Sequence, residues 1–306
     1  MNPRQLHIAA VVVTYNRKNL LRECLNALCC QTRSLERIIV VDNASTDGTG
    51  EMAPSEFPFA RHVLLPENIG GAGGFHEGMK LANDLGYDWV WLMDDDAKPD
   101  SDALNALLQP DLLQDPSIYA LTSTVLNPDR SISLIDRRLL RPPMQTPKPI
   151  AQNFYTKNKE FELDLATFVG VLVSRRAIVK VGLPLKEFFI YSDDFEYSLR
   201  IRANGGRILN IPTSRIVHNS GQKHDKSLFT APLSWRSYYL RRNLIFTYKK
   251  YGFFGLMSYI RLILKTARTQ IGILLWRKQK LGSTKLLWSA IIHGLTGRLG
   301  KSVTPP

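Results

Sequence analysis

The stretch Trp89-Val90-Trp91-Leu92-Met93-Asp94-Asp95-Asp96 decides how the rest of this chain is read. Five apolar residues in a row form a short buried strand, and three carboxylates close it. Pro99, three residues further on, predicts a helix over Pro99–Leu108. Three adjacent carboxylates repel one another by roughly a kcal/mol or more per close pair. Hard oxygen ligands of this kind suit Mg2+ or Mn2+ bridging phosphates. The other reading is a solvated acidic turn whose last member, Asp96, caps the following helix. On this stretch alone both remain open.

Upstream, His7–Val13 is apolar and β-branched, and Arg17–Gln31 carries Leu20, Leu21, Cys24, Leu25 and Leu28 at helical spacing. Arg37–Val41 is a second buried strand, followed by the polar loop Asp42–Gly48; His62–Leu65 is a third. Asn68-Ile69-Gly70-Gly71-Ala72-Gly73-Gly74 then opens a helix that runs to about Leu85. Strands alternating with helices predict a mostly parallel α/β sheet, helices on both faces, with ligands beyond the strands' carboxyl ends. The polar clusters at 14–17, 42–48, 68–74 and 94–96 all fall on that edge. Four clusters on one edge make a site, which favours the cation reading of the aspartates.

Downstream, residues 127–163 hold Pro128, Pro142, Pro143, Pro147 and Pro149, many charges and little periodicity. They are expected to form a long surface excursion, a lid or an acceptor loop. A strand over Leu165–Ser174, a helix over Arg175–Val181, a helix ending at Ala203 and a strand over Arg207–Ile211 follow.

The glycine run from Gly70 and Gly71 onward reads as a phosphate cradle, since glycines let backbone N–H groups approach an anion at a helix start. It is neither a dinucleotide fingerprint nor a P-loop, because the spacing and the strand it follows are wrong. Asp42 and Asn43 can bond a base or ribose, or simply stabilise their own turn. Asp193 and Asp194 stand beside aromatic residues, a setting that can raise one pKa and make a general base; Asp193 as a plain N-cap is the alternative. His218 is a packed histidine or a further ligand for a cation held by the aspartates.

Together, Thr14-Tyr15-Asn16-Arg17, Val41-Asp42-Asn43-Ala44-Ser45, Asn68–Phe75, Leu92–Asp96, Phe189–Tyr197, Ile216-Val217-His218 and Trp235–Asn243 resemble family 2 glycosyltransferases of the GT-A fold. The order and spacing across residues 7–247 carry the likeness, which is greatest to bacterial galactofuranosyltransferases, with rhamnosyltransferases as close relatives. The resemblance implies a Rossmann-like sheet in a catalytic domain over 1–230, its nucleotide-sugar half at about 1–110 and its acceptor half at about 111–230. It implies that Thr14, Arg17, Asp42, Asn43 and Asn68 line the nucleotide pocket and that Asp95 contacts ribose or sugar. Asp94, Asp96 and His218 would bind Mn2+ or Mg2+, Asp194 would deprotonate the acceptor, and Asp193 and Glu196 would hold the acceptor or order the site. The polymerising relatives have Trp where this chain has Ser192, so acceptor stacking there is not carried over. The implied reaction is inverting transfer of galactofuranose from UDP-galactofuranose to a lipid-linked glycan, with dTDP-rhamnose as the alternative donor. A silent glycan- or nucleotide-binding scaffold is the competing class.

The charge is unevenly placed. The 306 residues carry +13, yet residues 226–306 hold 15 Lys/Arg and no Asp or Glu. The preceding 225 residues therefore hold 25 basic and 27 acidic side chains, a net of −2. The apolar stretch from Tyr251 through Phe253 and Phe254 to Trp276 is interrupted by Arg261, Lys265 and Arg268, which argues against a membrane-spanning helix. At 100° per residue these basic residues share one face and Ile260, Ile263, Ala267, Ile271 and Leu274 another, with Arg277, Lys278 and Lys280 at the end. That predicts a basic amphipathic extension over 231–306, with a second helix over Lys285–Ile292, lying on an anionic membrane surface. Packing on the catalytic domain or on a second copy of the chain is the other reading. Nucleic acid is disfavoured, because no reader motif accompanies the charge. The N-terminal apolar run is too short for a signal peptide, and Cys24, Cys29 and Cys30 read as reduced thiols, so a cytoplasmic, peripheral location is expected.

Overall fold

The computed structural model describes residues 6–141, 146–157, 159–219, 233–252, 256–277 and 279–303. Pro142, Pro143, Phe253, Phe254 and Lys278 lie outside them. The chain divides into two compact units, the first made of Met1–Leu140, Pro147–Lys186 and Asp194–Ser220, the second of Arg141–Thr146, Glu187–Asp193 and Gly221–Pro306.

The first unit begins with β1 (Ile8–Thr14), α1 (Lys18–Cys29), β2 (Arg37–Asp42), α2 (Thr49–Glu56), β3 (Arg61–Leu64), α3 (Gly70–Asp84) and β4 (Trp89–Asp94). β3, β2, β1 and β4 lie side by side, all parallel. Ile8, Ala10 and Val12 of β1 enter one core and Ala9, Val11 and Val13 the other. A strand buried on both faces has no polar position to alternate with, which is why these strands read as unbroken apolar runs. Helix α3 lies close on the sheet: a Cβ on Gly74 would sit 2.4 Å from Val13 Cγ1, and one on Gly78 2.4 Å from Val11 Cγ1. Part of the glycine run thus serves helix–sheet packing.

Next come β5 (Ala97–Pro99), α4 (Ala103–Leu107), α5 (Pro110–Gln114), β6 (Ile118–Leu126), β7 (Arg137–Arg141), β8 (Thr146–Pro149), α6 (Gln152–Thr156), β9 (Phe161–Leu163), β10 (Leu165–Ala166), β11 (Val171–Ser174), α7 (Arg175–Val181), α8 (Asp193–Ala203) and β12 (Arg207–His218). The main sheet continues from β4 through β11, β6 and β12 to β5, with β9 also on β12. β11 is antiparallel to both neighbours and β5 to β12; β12 runs parallel to β6.

Three expectations are corrected here. Residues after the aspartates form a strand, not a helix from Pro99, because Ala97–Pro99 pair with His218–Ile216. The 127–163 region is no loose excursion: β7, β8, α6 and β9 lie in it, and Ile150, Tyr155, Phe161 and Leu163 enter the core. Its strands are too short and proline-rich to show a period. The strand expected over Leu165–Ser174 is two, broken around Gly170, whose φ of 71° turns the chain.

The second unit contains α9 (Trp235–Lys250), α10 (Leu256–Trp276) and α11 (Lys280–Thr296). Ile273 of α10, Ile245 of α9, and Leu287 and Ile291 of α11 form one core. Gly294 brings α11 against α9, since a Cβ there would lie 2.7 Å from the Arg242 carbonyl oxygen. The segment Glu187–Asp193 belongs to this unit, and Phe189 joins a second core with Tyr238, Tyr239 and Ala290. Phe189, Tyr191 and Ser192 have φ of 65°, 65° and 66°. Left-handed backbone at a residue with a Cβ costs roughly 1–2 kcal/mol, so this turn needs outside support.

Candidate active site at the carboxyl edge of the sheet

β1, β2 and β4 end in register, with Thr14 opposite Asp42 and Val13 opposite Asp94. Their loops are tied together. The Asn43 N–H donates to the Thr14 carbonyl (3.0 Å), and the Ile69 N–H to Asn43 Oδ1 (3.3 Å). Asn68 Oδ1 accepts from the Gly70 N–H (2.8 Å) at the start of α3. Asp42 Oδ1 accepts from the Ser45 N–H (2.8 Å), while its buried Oδ2 has no hydrogen-bond partner. A buried carboxylate oxygen left unpaired is costly, and here it sits at the carboxyl end of β2. Gly70 has a φ of 79°, and the space where a Gly71 Cβ would project is empty.

The aspartate turn is held from two sides. Thr14 Oγ1 donates to Asp95 Oδ2 (2.7 Å), and Arg17 Nη1 reaches Asp95 Oδ1 (3.1 Å) and Asp96 Oδ2 (2.8 Å). Both Asp95 oxygens are thereby engaged, so a ribose or sugar hydroxyl would have to share them. From the other side β5 pairs with β12, setting His218 opposite Ala97, and the Asn219 N–H donates to the Asp96 carbonyl (2.9 Å). His218 Nε2 comes to lie 3.1 Å from Asp96 Oδ1. Asp96 caps no helix, which removes the acidic-turn reading.

One ligand atom each from Asp94, Asp96 and His218 lies within 4.8 Å of the others. Burial and then the charge of Asp96 push the Asp94 carboxyl up to about 7, against the pull of His218. Burial works against protonated His218, but its hydrogen bond to Asp96 and the charges of Asp96, Asp94 and Asp136 raise it to about 9. Burial also raises Asp95, to about 6 despite Arg17. For Asp96, burial is outweighed by His218 and Arg17, and the pKa falls. Protons are held where negative charge is crowded. Two carboxylates and an imidazole facing one point form a donor set that fits a divalent cation in their place.

Asp194 lies at the start of α8. Burial raises its pKa to about 6, with the charge of Asp136 adding and the Phe195 N–H, 2.6 Å from Oδ1, opposing. Asp136 is itself buried, accepting from Ser133 Oγ and from Thr167 Oγ1 (2.8 Å). Sequence reasoning missed it, since an isolated aspartate in a proline-rich stretch carries no signal. Asp193 is buried at the first position of α8. Glu196 is closed to an acceptor: it is 0% exposed and paired with Arg200 (2.6 Å), which donates on to the Val181 and Leu183 carbonyls. Of its two expected roles, burial leaves the ordering one.

The fold resembles that of GalNAc-T7, solved with UDP, GalNAc and Mn2+, with a TM-score of 0.60, 13% identity, and coverage of 81% of this chain and 48% of that one. The likeness is one of fold, the GT-A arrangement of sheet and helices. The glycosyl transferase family 2 model matches residues 9–167, and the chain belongs to that family. It is 28% identical over 255 residues to the galactofuranosyltransferase GlfT1 of Mycolicibacterium smegmatis, covering 80% of this chain and 82% of the relative. To the N-acetylglucosaminyl-diphospho-decaprenol L-rhamnosyltransferase of Mycobacterium tuberculosis it is 24% identical over 236 residues, covering 69% and 76%.

Proposed function

We propose that this enzyme transfers galactofuranose from UDP-galactofuranose to a lipid-linked glycan, inverting the anomeric centre, while bound to the anionic inner face of the cell membrane. The observation that carries the reading is the convergence of Asp94, Asp96 and His218 on one edge with the loops of Asp42, Asn43 and Asn68. Asp94, Asp96 and His218 would hold Mn2+ or Mg2+. Such an ion, when bound, supplies positive charge against the leaving diphosphate.

The remaining steps fall to the chain's own groups. Asp42 Oδ2 and Asn43 meet the base or ribose, while Gly70 and Gly71 offer backbone N–H groups at a helix start to the phosphates. Arg17 uses Nη1 for both of its ion pairs, and its half-exposed guanidinium faces the nucleotide. Asp95 fixes Arg17 and Thr14 in that pocket. Asp194, with a pKa of about 6, is ionised at neutral pH yet basic enough to take the acceptor proton as the hydroxyl attacks. Asp193 borders the acceptor, and Glu196 orders α8 through Arg200.

Membrane binding is supported by α10. Among the described residues no helix is long and apolar enough to cross a membrane. Ile263, Leu264, Ile271, Leu274 and Leu275 are nevertheless more than half exposed, and at 100° per residue they fill one stripe beside Arg261, Lys265 and Arg268. An exposed apolar stripe flanked along one edge by cations fits an anionic leaflet.

A rhamnose donor is the second reading, supported by the rhamnosyltransferase relative. Purified protein offered UDP-galactofuranose or dTDP-rhamnose, with release of UDP or dTDP measured, separates the two; release of dTDP alone overturns the galactofuranose assignment. In the same assay Asp194→Asn is expected to lower turnover about 1,000-fold while UDP binding stays intact. Full activity in that variant rejects Asp194 as the base.

A further inference from the structure

The fully buried polar side chains of helix α9 include Arg242 and Asn243, which the reaction above does not use. Asn243 Nδ2 donates to three carbonyls of one loop, those of Phe188 (3.0 Å), Ile190 (3.0 Å) and Tyr191 (2.8 Å). An amide nitrogen has only two hydrogens, so the three carbonyls share them. Arg242 Nε donates to Asn243 Oδ1 (2.8 Å), fixing which way the amide points. Arg242 Nη2 donates to the Glu187 (3.1 Å) and Phe188 (2.9 Å) carbonyls and Nη1 to the Gly300 carbonyl (2.6 Å). Its guanidinium lies 4.8 Å from the Tyr239 ring centre and 5.6 Å from that of Tyr238. From the chain end, the Gly300 N–H donates to the Glu187 carbonyl (2.7 Å).

This loop contains the three left-handed residues Phe189, Tyr191 and Ser192, and the next residues are Asp193 and Asp194. Backbone carbonyls in an unfavourable turn need fixed donors, and a buried amide locked by a buried guanidinium supplies them. We infer that Asn243 and Arg242 are positioning residues, which hold residues 187–192 in their strained turn and so set where the chain enters α8 at the catalytic aspartate. The C-terminal helical unit then has a role in turnover beyond any lipid contact. The kinetic part of this inference rests on Asp194 acting as proposed above.

The test compares full-length protein, Asn243→Ala, and Asn243→Ala combined with Ser192→Gly. Glycine adopts a positive φ without a Cβ penalty, so the second change relieves strain without restoring the lost hydrogen bonds. Hydrogen–deuterium exchange over residues 187–193 is expected to rise in Asn243→Ala and to fall back in the double variant. With UDP-galactofuranose and its acceptor, kcat is expected to fall about 100-fold, donor KM and Mn2+ affinity to hold, and Ser192→Gly to recover part of kcat. Unchanged exchange in Asn243→Ala overturns the clamp. Raised exchange with unchanged kcat overturns positioning, as does a kcat loss that Ser192→Gly leaves untouched while Mn2+ binding weakens. If wild-type protein turns over no sugar nucleotide, the transfer reading fails, and exchange alone then decides the clamp.

Discussion

The aspartate edge of the sheet and the C-terminal helical unit carry opposite imbalances of charge. At the edge, Asp94, Asp95 and Asp96 crowd together facing Arg17 and His218, and Asp94 is raised to about 7 by burial first and then by the charge of Asp96. In the C-terminal region, 15 Lys/Arg between 226 and 306 have no Asp or Glu among them. The remedies differ with burial. Buried, crowded carboxylates call for a compact, strongly charged ion at ligand distance. Exposed cations spread along a helix, such as Arg261, Lys265 and Arg268, call for a diffuse anionic surface, since solvent screens each of them within about 8 Å at physiological salt. One excess marks a site and the other a surface.

The largest effect is expected at the cluster of Asp94, Asp96 and His218. Asp96→Ala removes one of the three converging groups and a partner of Arg17. Turnover should fall about 1,000-fold or more, the equivalent of several kcal/mol of charge stabilisation. EDTA should do the same to the wild type. A Mn2+ titration followed by calorimetry checks the cause: heat should appear with wild-type protein and vanish with the variant. Undiminished turnover in EDTA would show that Arg17 and His218 balance the carboxylates unaided.

The surface should respond more gently. Replacing Arg261, Lys265 and Arg268 by Gln removes about 1 kcal/mol of attraction per residue near an anionic leaflet, or about 100-fold in partition overall. Cosedimentation with phosphatidylserine vesicles reads this directly, and raised salt should reduce wild-type binding in the same direction. Equal binding by the triple variant, with loss on Leu264→Ser and Leu275→Ser, would make the apolar stripe the sole determinant. Loss of neither would leave α10 to a protein partner.

What was legible in the sequence follows the same division between local and distant causes. β1 is buried throughout and β2 and β4 are buried along their apolar residues, so their apolar runs and the polar residues ending them were plain, and α7 (Arg175–Val181) was read to the residue. β5 was not legible. Three residues, Ala97-Lys98-Pro99, have no period of their own and become a strand only because β12 arrives beside them. That pairing also brings His218 to Asp96, a meeting that no strand period announced; His218 was weighed as a ligand from imidazole chemistry and then from the resemblance. The glycines after Asn68 looked like one cradle, yet Gly74 and Gly78 are small because α3 lies against Val13 and Val11. Asn243 sits in a helix otherwise rich in aromatic and basic residues, and nothing in its spacing reveals three carbonyls waiting for its amide.

The smallest expected effect sharpens the electrostatic side of the edge site. Asp194 must be ionised to accept a proton, so turnover should fall as pH drops through about 6, the value to which burial and Asp136 raise it. Asp136→Asn removes a negative charge that favours the protonated form of Asp194. The folded-state pKa therefore moves down, and the acidic limb of the kcat profile should shift to lower pH by a fraction of a unit. Asn keeps an oxygen that can accept from Thr167 or Ser133, so the β7 region retains part of its local bonding. A kcat profile between pH 5 and pH 8, measured in saturating metal and donor, reads the shift. Movement of the limb to higher pH would mean that the hydrogen bonds of Asp136, rather than its charge, govern Asp194.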